Sequence, residues 1–145
     1  MRLVVDANVV LSALASDGAV RSALRVTSDD VRTPAYIREE VGRHRAEIRR
    51  KSGLSPTTFD ELIDELWRYV TIIPREAMLP NVEKATRAMG PHDPDDVPYV
   101  AAALAIDGTV VSNDQAFEKQ RAVPHMWTSE FVQRALGPAD EEDSE

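Results

Sequence analysis

Residues 2–6 read Arg-Leu-Val-Val-Asp and residues 109–114 read Thr-Val-Val-Ser-Asn-Asp, and these two stretches decide the fold class. Each contains a short apolar, β-branched run of the kind found in strands that are buried on both faces. Segments with helical periodicity separate the two runs, so crossover helices join the strands, which pair in parallel. The pattern predicts an α/β fold, a three-layer α/β/α sandwich around a central, mainly parallel sheet.

The remaining elements follow from turn and cap signals along the chain. Helices are predicted over residues 9–15, 19–26, 34–51 (with Thr33 as N-cap), from Pro56 onward and over 81–89, and extended segments over 31–33 and 70–73. A long alanine-rich helix is expected to start at Asp95 or Asp96, because that start places Pro98 in the first helical turn, where proline is tolerated. A strand over 122–127 and a helix over 129–136, with Thr128 as N-cap, complete the prediction.

Length and composition point to one globular domain. The chain has 145 residues, of which 43% are hydrophobic and 29% charged, and such a chain buries a sizeable core. We place the domain at residues 1–137 and expect residues 138–145 to form a disordered acidic tail. That tail supplies five of the negative charges behind the net charge of −8: Asp140, Glu141, Glu142, Asp143 and Glu145.

Composition also excludes several kinds of chemistry. Cysteine is absent, which rules out a disulfide framework, a thiolate zinc site and a cysteine nucleophile. The histidines His44, His92 and His125 lie far apart and show no metal-ligand spacing. No apolar run is long enough to cross a membrane, and the N-terminus does not resemble a signal peptide, so the sequence predicts a soluble, cytoplasmic protein.

Two aspartates that follow the predicted buried strands are the first candidates for function. Parallel strands bring Asp6 and Asp114 to the same edge of the sheet, where α/β proteins bind their ligands. Asp96 lies at the mouth of the alanine-rich helix. Each aspartate taken alone is also compatible with a helix cap, so both interpretations stay open at this point.

A fourth carboxylate comes from the basic helix. On a helical wheel, Ile37, Val41, His44 and Ile48 form the stripe that is expected to be buried. Glu40 lies beside this stripe, whereas Glu39 points to the opposite, solvated face. Glu47, two turns further on, shares the side of Glu40 and is an alternative.

Acidic side chains gathered at one edge indicate a hard divalent cation. Without a cation they would repel one another and raise one another's pKa values. Mg²⁺ or Mn²⁺ takes oxygen ligands and keeps water molecules that can attack a phosphate. The pattern therefore favours metal-dependent phosphodiester hydrolysis.

The basic helix also carries positive charge within an acidic protein. Residues 38–51 contain six Lys or Arg side chains against three Glu. These positive charges are either a solvated helix face or a contact surface for a nucleic-acid backbone. The candidates for RNA contact are Arg38, Arg43, Arg45, Arg49 and Arg50.

Taken in order, four motifs resemble those of PIN-domain nucleases, and the likeness spans residues 1–136. The motifs are Val-Val-Asp6-Ala-Asn8-Val-Val, Glu39-Glu40-Val41, Asp96-Val-Pro-Tyr-Val-Ala-Ala and Ser112-Asn-Asp114-Gln-Ala-Phe117. The resemblance implies an acidic catalytic set with supporting polar groups. The set is Asp6, Glu40, Asp96 and Asp114, supported by Asn8 and Ser112, with Asp93 as a further acid.

The resemblance also implies an activity and partners. The family suggests a metal-dependent endoribonuclease, in many members the VapC-type toxin of a toxin–antitoxin pair, with a homodimer and a small antitoxin protein as partners. We hypothesise that Asp6, Asp96 and Asp114 hold the metal and that Glu40 orients or deprotonates the attacking water.

Three alternatives remain in view. A non-catalytic PIN fold would bind RNA or a protein without cleaving anything. A phosphatase with Asp6 as nucleophile would usually carry a second aspartate two residues on, where this chain has Asn8. A nucleotide-binding domain would need a glycine-rich phosphate loop after the first strand, and none is present.

Overall fold

A computed structural model of the chain describes residues 1–15 and 18–137, and its centre is a five-stranded sheet. The strands are β1 (Arg2–Val5), β2 (Asp30–Pro34), β3 (Thr71–Ile73), β4 (Thr109–Val111) and β5 (His125–Met126). Their order is β3-β2-β1-β4-β5, and every pairing is parallel. The order reverses between β1 and β4, which is where a parallel sheet opens a ligand crevice.

Helices cover the sheet on both faces. They are α1 (Ala7–Ala15), α2 (Gly18–Val26), α3 (Ile37–Ser52), α4 (Pro56–Tyr69), α5 (Arg75–Met78), α6 (Val82–Met89), α7 (Val97–Ile106), α8 (Ala116–Lys119) and α9 (Thr128–Leu136). α7 packs across β1, β2 and β4 with α5 and α6 beside it, whereas α1, α2, α3, α4 and α9 pack among themselves. The predicted three-layer α/β/α sandwich is confirmed. None of the described helices combines the length and apolarity needed to span a membrane.

The core forms around the two strands that the sequence singles out. Leu3, Val4 and Val5 of β1 are fully buried, as are Val110 and Val111 of β4. Apolar side chains on both faces of these strands leave no face for solvent, which explains why their sequences are continuous apolar runs.

The segment that leads into α7 begins as predicted. The Asp93 carboxylate accepts a hydrogen bond from the Asp95 N–H at 3.0 Å and starts a 3-10 turn at Pro94–Asp96, so Pro98 falls in the first turn of α7. The helix ends at Asp107, which has a positive φ of 52°. A Cβ atom on Gly108 would lie 2.9 Å from the Arg2 carbonyl oxygen, so glycine permits β4 to run close beside β1.

The predicted start of the basic helix is wrong. Pro34 belongs to β2, paired with Ile73, and the Ala35 N–H donates to the Ile73 carbonyl at 3.0 Å. Pairing with β3 therefore holds the chain extended past Pro34, and the helix begins at Ile37. His44 is exposed instead of buried, whereas Ile37, Val41 and Ile48 form the buried stripe as predicted.

The last strand and the last helix also differ from prediction. β5 covers only His125–Met126, because the Gln120 amide oxygen accepts hydrogen bonds from the N–H groups of Ala122 and Val123 and holds that segment out of the sheet. α9 begins at Thr128, so Thr128 is not its N-cap. Instead, the Glu130 carboxylate accepts from the Trp127 N–H at 3.1 Å. The predicted acidic tail over 138–145 lies outside the described residues.

Candidate metal centre

The acidic side chains meet at the carboxyl edge of the sheet, at the reversal between β1 and β4. Asp6 directly follows β1, and Asp114 lies three residues after β4 ends. Asp96 precedes the first residue of α7, which crosses both strands. Parallel pairing therefore brings together residues that lie more than a hundred positions apart in the chain.

Asp6 is the most deeply buried of these carboxylates, with 2% of its surface exposed. One oxygen accepts the Val9 N–H at 3.1 Å and the other accepts the Ser112 hydroxyl at 2.5 Å. Burial, with smaller contributions from the charges of Asp114 and Glu40, raises the pKa of Asp6 from 3.8 to about 6 although these two hydrogen bonds lower it. Asp6 is thus a carboxylate held in a site that favours its neutral form.

Ser112 connects Asp6 to Asp114. Its buried hydroxyl donates to Asp6 and accepts a hydrogen bond from the Asp114 N–H at 2.9 Å. The Asp114 Oδ1 atom in turn accepts from the Ala116 N–H at 2.9 Å and fixes the entry to α8. Asp114 therefore makes the hydrogen bond that the helix-cap interpretation expects, and it also belongs to the acidic cluster.

Asp93, Asp96 and Asp114 form the compact part of the cluster. Each offers a carboxylate oxygen, and these oxygens all lie within 4.8 Å of one another. Burial is the largest of the causes that together raise the pKa of Asp96 to about 8. The others are the hydrogen bond and charge of Asp93 and the charges of Asp6 and Asp114. A divalent cation would remove this repulsion, and hard carboxylate oxygens are the ligands that Mg²⁺ and Mn²⁺ prefer. The donor set fits such an ion.

Glu40 reaches the site from α3 and is held there by Tyr99. The Tyr99 hydroxyl donates to the Glu40 carboxylate at 2.7 Å, and Tyr99 itself is 1% exposed. Burial raises the pKa of Tyr99 and the Glu40 carboxylate raises it further, so the tyrosine remains a hydrogen-bond donor. Glu39 is exposed, as the helical wheel predicts.

Sequence reasoning did not single out Tyr99 as a functional residue. Its signal was its position in Asp96-Val-Pro-Tyr99, because residues three apart share one face of a helix. Tyr99 lies one turn after Asp96 on α7, and its hydroxyl reaches Glu40 on α3.

The compact carboxylate group differs from the proposed metal-binding set in one member. Asp96 and Asp114 belong to both, whereas the compact group contains Asp93 in the place of Asp6. Asp6 lies close enough for its charge to affect Asp96. Asn8 is exposed and lines an open groove with Asn113 and His44.

The basic side chains of α3 have different surroundings. Arg45 forms an ion pair with Asp60 of α4, and Arg43 donates to the Tyr36 hydroxyl at 3.0 Å. In the described part of the chain the structure shows no ion pair for the other candidates, Arg38, Arg49 and Arg50. These three arginines retain their charge for an external partner.

Comparison with known proteins gives a match at the level of the family. A family model described as PIN domain matches residues 4–136, which covers every acidic side chain of the cluster. No curated protein matches the chain.

Proposed function

The chain belongs to the PIN-domain family, and from this premise we propose that it is a metal-dependent endoribonuclease that hydrolyses phosphodiester bonds in RNA. PIN domains have a nuclease-type fold. The observation that carries the proposal is the approach of the Asp93, Asp96 and Asp114 oxygens to within 4.8 Å of one another at the carboxyl edge of the sheet.

The residues of this cluster have distinct roles in the proposal. Asp93, Asp96 and Asp114 would hold Mg²⁺ or Mn²⁺, and Asp6 would hold Asp114 in place through the Ser112 hydroxyl. When bound, the ion supplies an activated water and offsets the negative charge that develops on the phosphate.

In this proposal Glu40 takes the proton of the attacking water. Its carboxylate is half-buried, and the Tyr99 hydroxyl fixes one oxygen. The other oxygen can then accept a proton or a hydrogen bond from water. Because Tyr99 acts through Glu40, it is a positioning residue.

RNA would approach over the exposed face of α3. Arg38 and Arg50 are exposed and Arg49 is half-buried, and all three lie on the helix that carries Glu40. Backbone phosphates bind such side chains electrostatically, without reading the sequence. These contacts would bring the scissile phosphate toward the acidic cluster.

A cleavage assay tests the proposal. Purified protein is incubated with single-stranded and structured RNAs in Mg²⁺, in Mn²⁺ and in chelator, beside the Asp114→Asn variant. Asp64→Asn is the matched control, because Asp64 is exposed on α4. We expect cleavage that requires the metal, persists in the control and disappears in the variant. Binding without cleavage would contradict the proposal and favour the non-catalytic alternative.

A toxin role, a homodimer and a small antitoxin partner extend the same proposal. Expression of the chain in a bacterial host should then arrest growth, and the Asp114→Asn variant should not. Equal growth arrest by both proteins would separate toxicity from the acidic cluster.

A further inference from the structure

A second concave site lies on the same edge of the sheet, under the carboxyl ends of β2 and β3. It is a cavity of about 410 Å³, which lies within the range of small-molecule sites. Its apolar walls include Met78, Leu79, Val97 and Pro98. We call this cavity the β3-side cleft.

Two charged side chains line the β3-side cleft. Glu39 lines it from α3, and Arg75 lines it from the start of α5. Both are exposed, and within residues 1–15 and 18–137 neither side chain forms an ion pair or a side-chain hydrogen bond. An acceptor and a donor are therefore both available to a ligand in one apolar cleft.

The cleft also has an aromatic wall. Tyr36 lines it, and the Arg43 side chain holds this tyrosine by a 3.0 Å hydrogen bond to its hydroxyl and by lying 5.7 Å from the ring centroid. Proteins that bind single-stranded RNA stack unpaired bases on aromatic rings of this kind. The Tyr36 ring therefore gives a planar base a surface on which to bind.

Two residues that line the β3-side cleft are direct chain neighbours of carboxylates at the candidate site. Val97 lines the cleft and directly follows Asp96, and Glu39 directly precedes Glu40. The chain therefore passes from the cleft to a carboxylate of the site within one residue on α3 and again at the start of α7. A nucleotide with its base in the cleft would have its phosphate near the carboxylates.

We propose that the β3-side cleft binds the base of a nucleotide next to the scissile phosphate and prefers guanine. A guanine base offers two N–H donors on its Watson–Crick edge, which a carboxylate such as Glu39 accepts. It also offers O6 and N7 as acceptors, which a guanidinium such as Arg75 binds as a pair. Adenine, cytosine and uracil have neither the paired N–H donors nor the paired O6 and N7 acceptors. The inference rests on the proposed function, since it names a subsite for the RNA substrate.

The test measures binding separately from cleavage. Fluorescently labelled five-nucleotide RNAs carry uridine at every position but the central one, which is guanine, adenine, cytosine or uracil. Affinity is measured by fluorescence anisotropy at constant salt, with Ca²⁺ in place of Mg²⁺ to slow hydrolysis, and the RNA is checked for integrity afterwards. We expect the guanine RNA to bind about tenfold more tightly than the others.

Modified bases assign each contact to its residue. Inosine lacks the N2 donors, so Glu39→Gln should remove the difference between guanine and inosine. The analogue 7-deazaguanine lacks the N7 acceptor, so Arg75→Ala should remove the difference between guanine and 7-deazaguanine. Glu61→Gln and Arg68→Ala, two changes at exposed positions of α4, are the matched controls and should keep both differences.

Either of two results overturns the guanine subsite. One is equal affinity of the wild-type protein for all the central bases, even if the protein cleaves RNA, in which case the proposed function still stands. The other is a guanine preference that survives in both Glu39→Gln and Arg75→Ala. A guanine preference that depends on these residues in a protein that cleaves no RNA would support the subsite and refute the proposed function.

Discussion

Asp6→Asn should reverse its effect on stability between acid and alkaline pH when no divalent metal is bound. Burial raises the pKa of Asp6 from 3.8 to about 6, so the folded protein prefers the protonated carboxyl. The stability that this preference contributes is present below pH 4 and is lost as the pH rises through 6. This rise in the pKa of Asp6 from 3.8 to about 6 corresponds to about 3 kcal/mol in the free energy of unfolding.

Residue 6 gives the stability of the Asp6→Asn variant no pH dependence, because asparagine does not titrate. It keeps an acceptor for the Val9 N–H but no longer accepts the Ser112 hydroxyl on the other side, a loss of about 1 kcal/mol at every pH. We therefore expect the variant to be about 1 kcal/mol less stable than the wild type at pH 4 and about 2 kcal/mol more stable at pH 8.

Urea denaturation in chelator measures both free energies, with Asp64→Asn as the control for an exposed aspartate. Addition of Mg²⁺ at pH 8 should stabilise both proteins, and the wild type more strongly because the Asp6 charge acts on Asp96 in the cluster, which reduces the advantage of the variant. The reasoning fails if the stability difference between the Asp6→Asn variant and the wild type is the same at pH 4 and pH 8.

Three further predictions concern other contacts. Tyr99→Phe keeps the buried ring but removes the hydrogen bond to Glu40, and should lower kcat about tenfold with KM unchanged; an unchanged kcat would remove Tyr99 from the mechanism. Arg134→Ala leaves the Asp29 carboxylate paired with the N-terminal ammonium but without the guanidinium that lowers its pKa, and should lower the urea midpoint at pH 7. A midpoint equal to that of the wild type would refute this. Arg50→Ala should reduce the slope of log affinity for RNA against log salt concentration by about 1. Arg68→Ala is the control and should leave the slope unchanged. An unchanged slope in Arg50→Ala as well would remove α3 from the RNA interface.

The sequence predicts the sheet well because its central strands carry their own signal. The apolar runs at 3–5 and 110–111 are typical of buried parallel strands, and these are the strands that meet at the reversal point. The errors occur where a distant partner decides the local conformation. Pro34 would suit the first turn of a helix, but pairing with Ile73 keeps it extended, and the side chain of Gln120 holds 122–123 out of β5.

The sequence predicts that carboxylates form the site and that they meet at one edge of the sheet. Parallel topology was enough to bring Asp6, Asp96 and Asp114 close to one another. The sequence does not give the distances between the carboxylate oxygens. These distances depend on the turn that Asp93 forms before α7, and this turn brings Asp93 into the compact group. Likewise, the β3-side cleft is lined by side chains from the four helices α3, α5, α6 and α7, and no local pattern predicts a surface made by such distant residues.

The central claim is that Asp93, Asp96 and Asp114 hold a divalent cation at the carboxyl edge of the sheet. The most direct test is anomalous diffraction from crystals of the protein grown with Mn²⁺. The account predicts an anomalous peak between these three carboxylates, and no such peak in crystals of the Asp96→Asn variant. A peak elsewhere on the molecule, or none in wild-type crystals at millimolar Mn²⁺, would contradict it.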